Sequence, residues 1–299
     1  MTSVIEARGL TKVYPKGARG VEDVTFDVRK GEVFGFLGPN GAGKTTTMRL
    51  LLDLLRPTRG EARLFGLDAR LGREEIHARM GYLPGELPPE GRMTAREQAE
   101  FLGSLRGGVD PARVEALAAR LHLDLDRPVR ALSRGNRQKV GLLQAFMHDP
   151  ELLVLDEPTS GLDPLMQHEF NALVREARAA GRTVFLSSHI LPEVEALCDR
   201  VGVIREGRLV AVTGVGDLKA RAVRRVQARF RSPPRAAWLD GVPGAADVRV
   251  EGDALAFTVR GPLGDAVRAL AREDLVDLAA HEPSLEDVFM AMYAEEAPR

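Results

Sequence analysis

The run Gly38-Pro39-Asn40-Gly41-Ala42-Gly43-Lys44-Thr45-Thr46 constrains this chain more than any other stretch. It has the spacing Gly-x-x-x-x-Gly-Lys-Ser/Thr, preceded by an apolar run, Glu32 to Leu37, and followed by a helical pattern from Gly43 to Leu55 that Arg56-Pro57 stops. A buried strand that turns through glycines into a helix is the context in which such a run cradles phosphates. The glycines let successive backbone N–H groups point inward, and the helix N-terminus adds positive potential. Lys44 is then expected to reach the β and γ phosphates of a nucleotide, and the Thr45 hydroxyl to sit on Mg²⁺. The bland alternative is a Gly-rich turn with an exposed lysine.

A phosphate loop alone leaves kinases, GTPases and many ATPases open. Leu152-Leu153-Val154-Leu155-Asp156-Glu157 narrows the choice by placing two carboxylates at the end of a second apolar run. Successive strand residues face opposite ways, but a strand end relaxes that rule. Asp156 can therefore hold the Mg²⁺ shell while Glu157 polarises a water. Read alone, the pair could also be acids at a helix N-terminus.

The rest of the chain supplies a frame for these residues. Val4 to Arg8, Val24 to Val28 and Glu61 to Gly66 read as strands, and Leu152 to Asp156 and Thr183 to Ser187 as parallel strands buried on both faces. A helix is expected from Pro164 to Ala180, a hairpin over Val201 to Val212 broken at Glu206-Gly207, and a helical insertion over about 94 to 150. Composition shifts near Gly214-Val215-Gly216, where arginines and prolines begin to cluster. Beyond that point Val226, Ala228 and Phe230 alternate with Gln227, Arg229 and Arg231, the pattern of a half-buried strand with a solvated basic face. Ser284 and Asp287 form a loose capping box ahead of a helical stripe, Leu285, Val288, Phe289 and Met292. The fold expected is α/β, a phosphate-loop core with an antiparallel β portion and a helical subdomain over residues 1–215, followed by a small α+β domain over 216–299. At 299 residues the chain is long enough for both.

Lys and Arg number 42 against 43 Asp and Glu, so no global attraction to nucleic acid is built in and none is expected as a partner. The single cysteine, Cys198, cannot form an internal disulfide and fits a reducing compartment. No apolar run approaches the roughly 18 residues of a membrane span, and Met1 to Lys12 lacks the pattern of a secretory signal. His77, His122, His148, His168 and His281 show no metal spacing. The expected location is cytoplasmic.

With these motifs in order, the chain resembles the ATPase subunit of an ATP-binding cassette (ABC) transporter over roughly residues 4 to 212. Leu132-Ser133-Arg134-Gly135-Asn136 resembles the family signature, commonly Leu-Ser-Gly-Gly-Gln, and stands shortly before the Asp-Glu pair. Ser160-Gly161-Leu162-Asp163 matches the dimer-contacting loop, His189 the switch histidine, and Tyr14 the aromatic that stacks on adenine. The resemblance implies a head-to-tail homodimer in which Ser133 and Gly135 bind the γ-phosphate held by the opposite loop, with Asp163 at the interface. Glu157 and His189 would be the catalytic pair, with Glu157 activating the water and His189 holding it and the γ-phosphate in line. ATP and Mg²⁺ are the implied cofactors.

Two departures qualify the match. Where the family usually carries glutamine after Gly-Tyr-x-Pro, this chain reads Gly81-Tyr82-Leu83-Pro84-Gly85-Glu86, and Glu86 is the expected substitute metal contact. Arg134 and Asn136 replace Gly and Gln in the signature, a variant resembling prokaryotic drug and antibiotic exporter ATPases, as does the C-terminal stretch Glu282 to Phe289. The implied partner is an integral membrane permease subunit, whose cytoplasmic helices would be received near Gly85 and the helical block, placing the chain peripherally on the inner face of the membrane. The domain after residue 216 is then accessory or regulatory. Alternatives are a soluble cassette ATPase and a non-hydrolysing regulatory cassette. The former would normally need a second core, long coiled coils or zinc cysteines, and the latter is disfavoured by intact Lys44, Asp156, Glu157 and His189.

Overall fold

The apolar runs of the sequence form two sheets in the first of two units, Met1–Thr213 and Gly214–Arg299. The computed structural model describes residues 2–15, 19–87, 92–217 and 223–281. An antiparallel sheet is built from β1 (Ser3–Val13), β2 (Arg19–Arg29), β4 (Arg59–Leu64) and β5 (Leu67–Asp68), in the order β2-β1-β4-β5. A six-stranded sheet takes β3 (Val33–Leu37), β6 (Met80–Leu83), β7 (Leu152–Leu155), β8 (Thr183–Ser188), β9 (Arg200–Arg205) and β10 (Arg208–Gly214), in the order β10-β9-β3-β8-β7-β6. β3, β7 and β8 are buried at every residue and pair in parallel, so their sequences show no alternation of polar and apolar residues. β9 and β10 meet at Glu206-Gly207, both with positive φ, as tight hairpin turns require.

One core joins the two sheets. Phe26 of the antiparallel sheet stacks on Phe34, Phe36 and Phe185 of the other, with ring centroids 5.7, 5.4 and 5.6 Å away. Each such ring, fully buried, contributes about 1.5–3 kcal/mol. This packing fixes the sheet from whose strand ends the functional loops emerge.

The helices are set by their caps. Thr94 starts α3 (Ala95–Ser104) with a capping box to Glu97, and Asp110 starts α4 (Pro111–Arg120). Ser133 and Asp163 cap α5 (Arg134–Phe146) and α6 (Pro164–Ala179). Arg120 ties the α4 end to α6 through Glu169 at 2.6 Å and both oxygens of Glu176 at 2.7 Å. The short helices α2 (Arg73–Ala78) and α7 (Leu191–Leu197) lead into β6 and β9.

The helix expected over Gly43 to Leu55 is shorter. α1 covers Lys44–Leu51, because Asp53 takes a left-handed φ of 52° and the N–H groups of Leu54 and Leu55 both turn back to the Arg49 carbonyl. The chain thus leaves the helix before Arg56-Pro57 can stop it.

The second unit has its own core. β11 (Val223–Phe230), β12 (Ala245–Glu251), β13 (Ala254–Arg260) and β14 (Leu275–His281) form an antiparallel sheet in the order β12-β13-β11-β14, with α8 (Gly264–Leu270) after β13. Val226, Ala228 and Phe230 are buried with Leu255, Phe257 and Leu270, while Gln227 and Arg229 are exposed, as their alternation predicts. The capping box and stripe expected from Ser284 to Met292, and the stretch from Glu282 to Phe289, lie outside the described residues.

Candidate nucleotide site

Three adjacent parallel strands, β3, β8 and β7, release their chains at one edge of the sheet, the edge where open α/β sheets bind ligands. β3 leads into Gly38, β7 into Asp156 and β8 into His189. Register makes the convergence, since Leu37 pairs with Ser188 and Leu155 with Leu186.

The phosphate loop occupies the first of these turns. Gly43 has a φ of 108°, and a Cβ there would lie 2.7 Å from Val21 and 2.9 Å from the Gly20 carbonyl, so only glycine fits. As the N-cap of α1 it offers no side-chain bond, and the first turn carries no acid. α3, α4, α5 and α6 instead spend a Ser, Thr or Asp oxygen on their first N–H groups. The uncapped start of α1 has donors and positive potential to offer an anion. Lys44, 5% exposed, folds over the loop and donates to the carbonyls of Gly38 at 2.6 Å and Pro39 at 3.1 Å. Ala42 is buried and Asn40 and Gly41 are exposed at the turn, with Thr45 and Thr46 half-buried on α1. Tyr14 brings its hydroxyl within 3.4 Å of Thr46 Oγ1, and its ring lies so close to Gly20 that a Cβ there would be 2.7 Å from it.

One of the two carboxylates meets the lysine. Lys44 Nζ stands 3.0 Å from Glu157 Oε1, and His189 Nδ1 lies 2.7 Å from Glu157 Oε2. Asp156 is fully buried: Oδ1 accepts from Ser187 Oγ at 2.6 Å, and the same hydroxyl accepts from Glu157 N at 2.9 Å. Neither acid caps a helix. Asp156 Oδ2 is buried without a hydrogen-bond partner, facing Gly85, where a Cβ would stand 3.0 Å from it. A buried lone oxygen beside a residue without a side chain fits the hydration shell of a hard divalent cation. Burial, then the negative charge of Asp156, push the nearby Tyr82 phenol above its ordinary pKa. Glu86 is exposed, one residue beyond Gly85.

Ser133, Gly135 and Asp163 gather in a second cluster. Ser133 Oγ accepts from Asn136 N at 3.3 Å and Asp163 Oδ1 from Met166 N at 3.0 Å, so each begins its own helix. Arg134 donates to Ser160 Oγ at 3.2 Å, and a Cβ on Gly135 would come within 2.5 Å of the Gly161 carbonyl. The link between clusters is Gln138, absent from the sequence reading. Its Nε2 donates to the carbonyls of Glu157 at 3.2 Å and Pro158 at 3.0 Å. A signal existed: Gln138 shares a helix face with Gly141, Leu142 and Ala145, all buried, so a polar side chain stood where an apolar one was due. Ser187, hidden in an apolar strand, gave none.

Among known proteins, the family model described as ABC transporter matches residues 21–160. A fluoroquinolones export ATP-binding protein of Mycobacterium tuberculosis is 39% identical over 234 residues, 77% of each chain. A bacitracin transport ATP-binding protein of Bacillus licheniformis is 33% identical over 303 residues, 98% of each chain. A solved ATP-binding subunit of an ABC transporter superposes with a TM-score of 0.67 at 31% identity, covering 73% of this chain and 92% of that one. With a phosphate loop, an acid pair and a histidine meeting at one sheet edge, and relatives that match it this far, the chain belongs to the ABC transporter family as an ATP-binding, ATP-hydrolysing subunit.

Proposed function

We propose that the chain powers export through a separate integral membrane permease, by cycles of Mg-ATP binding, head-to-tail dimerisation and hydrolysis. The observation that carries this reading is the contact set Lys44–Glu157–His189 beside the uncapped start of α1. Lys44 and the loop N–H groups would hold the β and γ phosphates, with Tyr14 against the base. Thr45 and Asp156 would hold Mg²⁺, with Glu86 as a further contact, and the ion would supply charge neutralisation on the phosphates. Glu157 would take the proton of the attacking water, and His189 would keep that carboxylate and the γ-phosphate aligned. A partner subunit's Ser133, Gly135 and Asp163 loops would close over the nucleotide, so that ATP completes the interface.

Export is favoured over other transport by the names of the relatives, one an exporter of fluoroquinolones and one a bacitracin transport protein. Among the described residues no helix is long and apolar enough to cross a membrane, in keeping with a peripheral subunit on the inner face of the membrane. The unit from Gly214 onward is assigned an accessory role, because every residue assigned to the nucleotide lies before it. Purification from detergent-solubilised membranes tests the reading. A stoichiometric multi-span protein should accompany the chain, and recovery without one would refute it.

A further inference from the structure

We propose that Glu193 is a positioning residue for hydrolysis, its carboxylate bridging the two loops that carry Glu157 and His189. The inference rests on the reading of those two residues as the hydrolytic pair. β7 and β8 stay paired as far as Leu155 and Leu186, and beyond that point side chains hold the loops together. Ser187 makes the first tie, to Asp156 Oδ1 and Glu157 N. Farther out, Glu193 in the first turn of α7 makes the second. Its Oε1 accepts from Thr159 Oγ1 at 2.5 Å and its Oε2 from Ser188 Oγ at 2.9 Å.

Thr159 lies two residues after Glu157, and Ser188 immediately precedes His189. Both hydroxyl residues are buried, 4% and 1% exposed. Ser188 Oγ also accepts from Ile190 N at 2.9 Å, and of the two acceptors within reach of its one proton the carboxylate at 2.9 Å is nearer than the Ile190 carbonyl at 3.5 Å. Hydroxyl-to-carboxylate bonds of this kind are charge-assisted and roughly twice as strong as neutral ones. The His189 side chain is 45% exposed and therefore has little packing to fix it. Its place opposite Glu157 depends on the backbone at 188–190, which Glu193 holds. The glutamate could have served only to start α7, but both its oxygens go to side chains of the two loops rather than to helix N–H groups.

The full-length chain tests this through Glu193→Ala, Glu193→Gln and Thr159→Val, with Glu157→Gln as reference, measuring kcat, KM for ATP and melting temperature. Glu193→Ala and Thr159→Val should each lower kcat about tenfold while KM stays within about twofold, since the phosphate loop is untouched. The double variant Glu193→Ala with Thr159→Val should be no slower than Glu193→Ala, because both break one bridge. Glu193→Gln, which can still accept one bond and donate another, should recover at least about half of the wild-type kcat. Wild-type kcat in Thr159→Val, or a kcat that follows melting temperature across all variants, would overturn the inference. Should Glu193→Ala fail to fold, Thr159→Val and Glu193→Gln decide. An inactive Glu157→Gln beside fully active Glu193→Ala and Thr159→Val removes the bridge alone. An active Glu157→Gln removes the hydrolytic pair and the bridge together.

Discussion

The ammonium of Lys44 stands 3.0 Å from Glu157 Oε1, so the lysine of the phosphate loop and the acid after β7 share one ion pair. On the proposed assignment of Lys44 to the phosphates, the γ-phosphate of ATP would compete with this carboxylate for one cation. Removing the charge at 157 should act on binding and on chemistry in opposite directions.

Glu157→Gln is expected to lower steady-state ATPase by at least about 100-fold, because the amide cannot take a proton from water. ATP affinity should be equal to or tighter than wild type, since Lys44 loses its competing partner. Equilibrium binding of a fluorescent ATP analogue, measured beside phosphate release, checks both. Weaker binding would contradict the competition.

Gln138→Leu keeps volume but leaves the Glu157 and Pro158 carbonyls without the amide. Glu157 sits at φ 48°, a left-handed conformation that costs a glutamate energy and needs outside support. The Glu157 carbonyl keeps the Ser160 N–H at 3.1 Å, but the buried Pro158 carbonyl is left unpaired at a cost of about 1–3 kcal/mol, so the variant should melt lower. Its kcat should fall about tenfold with unchanged ATP affinity. A variant that melts lower but hydrolyses normally would reduce Gln138 to a packing role.

Glu86→Ala should raise the Mg²⁺ concentration needed for half-maximal ATPase, and Glu86→Gln should restore much of the wild-type curve. The expectation follows from the place of Glu86, next to Gly85 and the partnerless Asp156 Oδ2. Identical Mg²⁺ titrations for all three proteins would make position 86 a spectator.

His148 sets a pH dependence of stability. Its Nε2 lies 3.0 Å from the Met80 carbonyl and must be the protonated nitrogen, while Nδ1 is buried with no partner. Burial, reinforced by Arg106 and Arg113, pushes its pKa below the ordinary 6.5. The unfolded chain thus binds the proton more readily, and stability falls as pH drops from about 6.5 through the folded value. His148→Gln, which can still donate to Met80, should flatten that fall in melting temperature between pH 7.5 and 5.5, values chosen as about one unit either side of the ordinary pKa.

Truncation after Gly214 should leave ATP affinity within about twofold of the full chain. Every assigned nucleotide contact lies before that point, and the second unit holds its own core around Phe230 and Leu255. Loss of ATP binding in a folded truncated chain would place part of the site after residue 214.

The residues legible in the sequence were those whose roles are set by backbone near them. Gly43 must be glycine because its own φ is 108°, and Asp156 and Glu157 follow an apolar run that reads as an interior strand. The partners of Gln138 lie 19 to 20 residues away and the Thr159 partner of Glu193 lies 34 away. The polar Gln138 on a buried helix face marked a position of interest, but no local pattern encodes what either side chain reaches. The early end of α1 escaped for a different reason: Asp53 adopts a left-handed φ, and an aspartate does so only in some contexts. Ser133 and Asp163 were legible as motif members, and the structure adds that each starts a helix. Alanine at either position would therefore weaken a helix as well as any contact with a second subunit.

The approach of Gly135 to the Gly161 carbonyl has an evolutionary consequence. A side chain at 135 would collide at 2.5 Å with main chain, which cannot rotate aside. With Arg134 joined to Ser160, the two segments are free to vary only as a matched pair. Among descendants and cousins of this chain, insertions in the stretch 160–163 should be accompanied by changes at 134 and 135. A chimera that takes one segment from a distant relative should recover its fitness through compensating substitutions in the other.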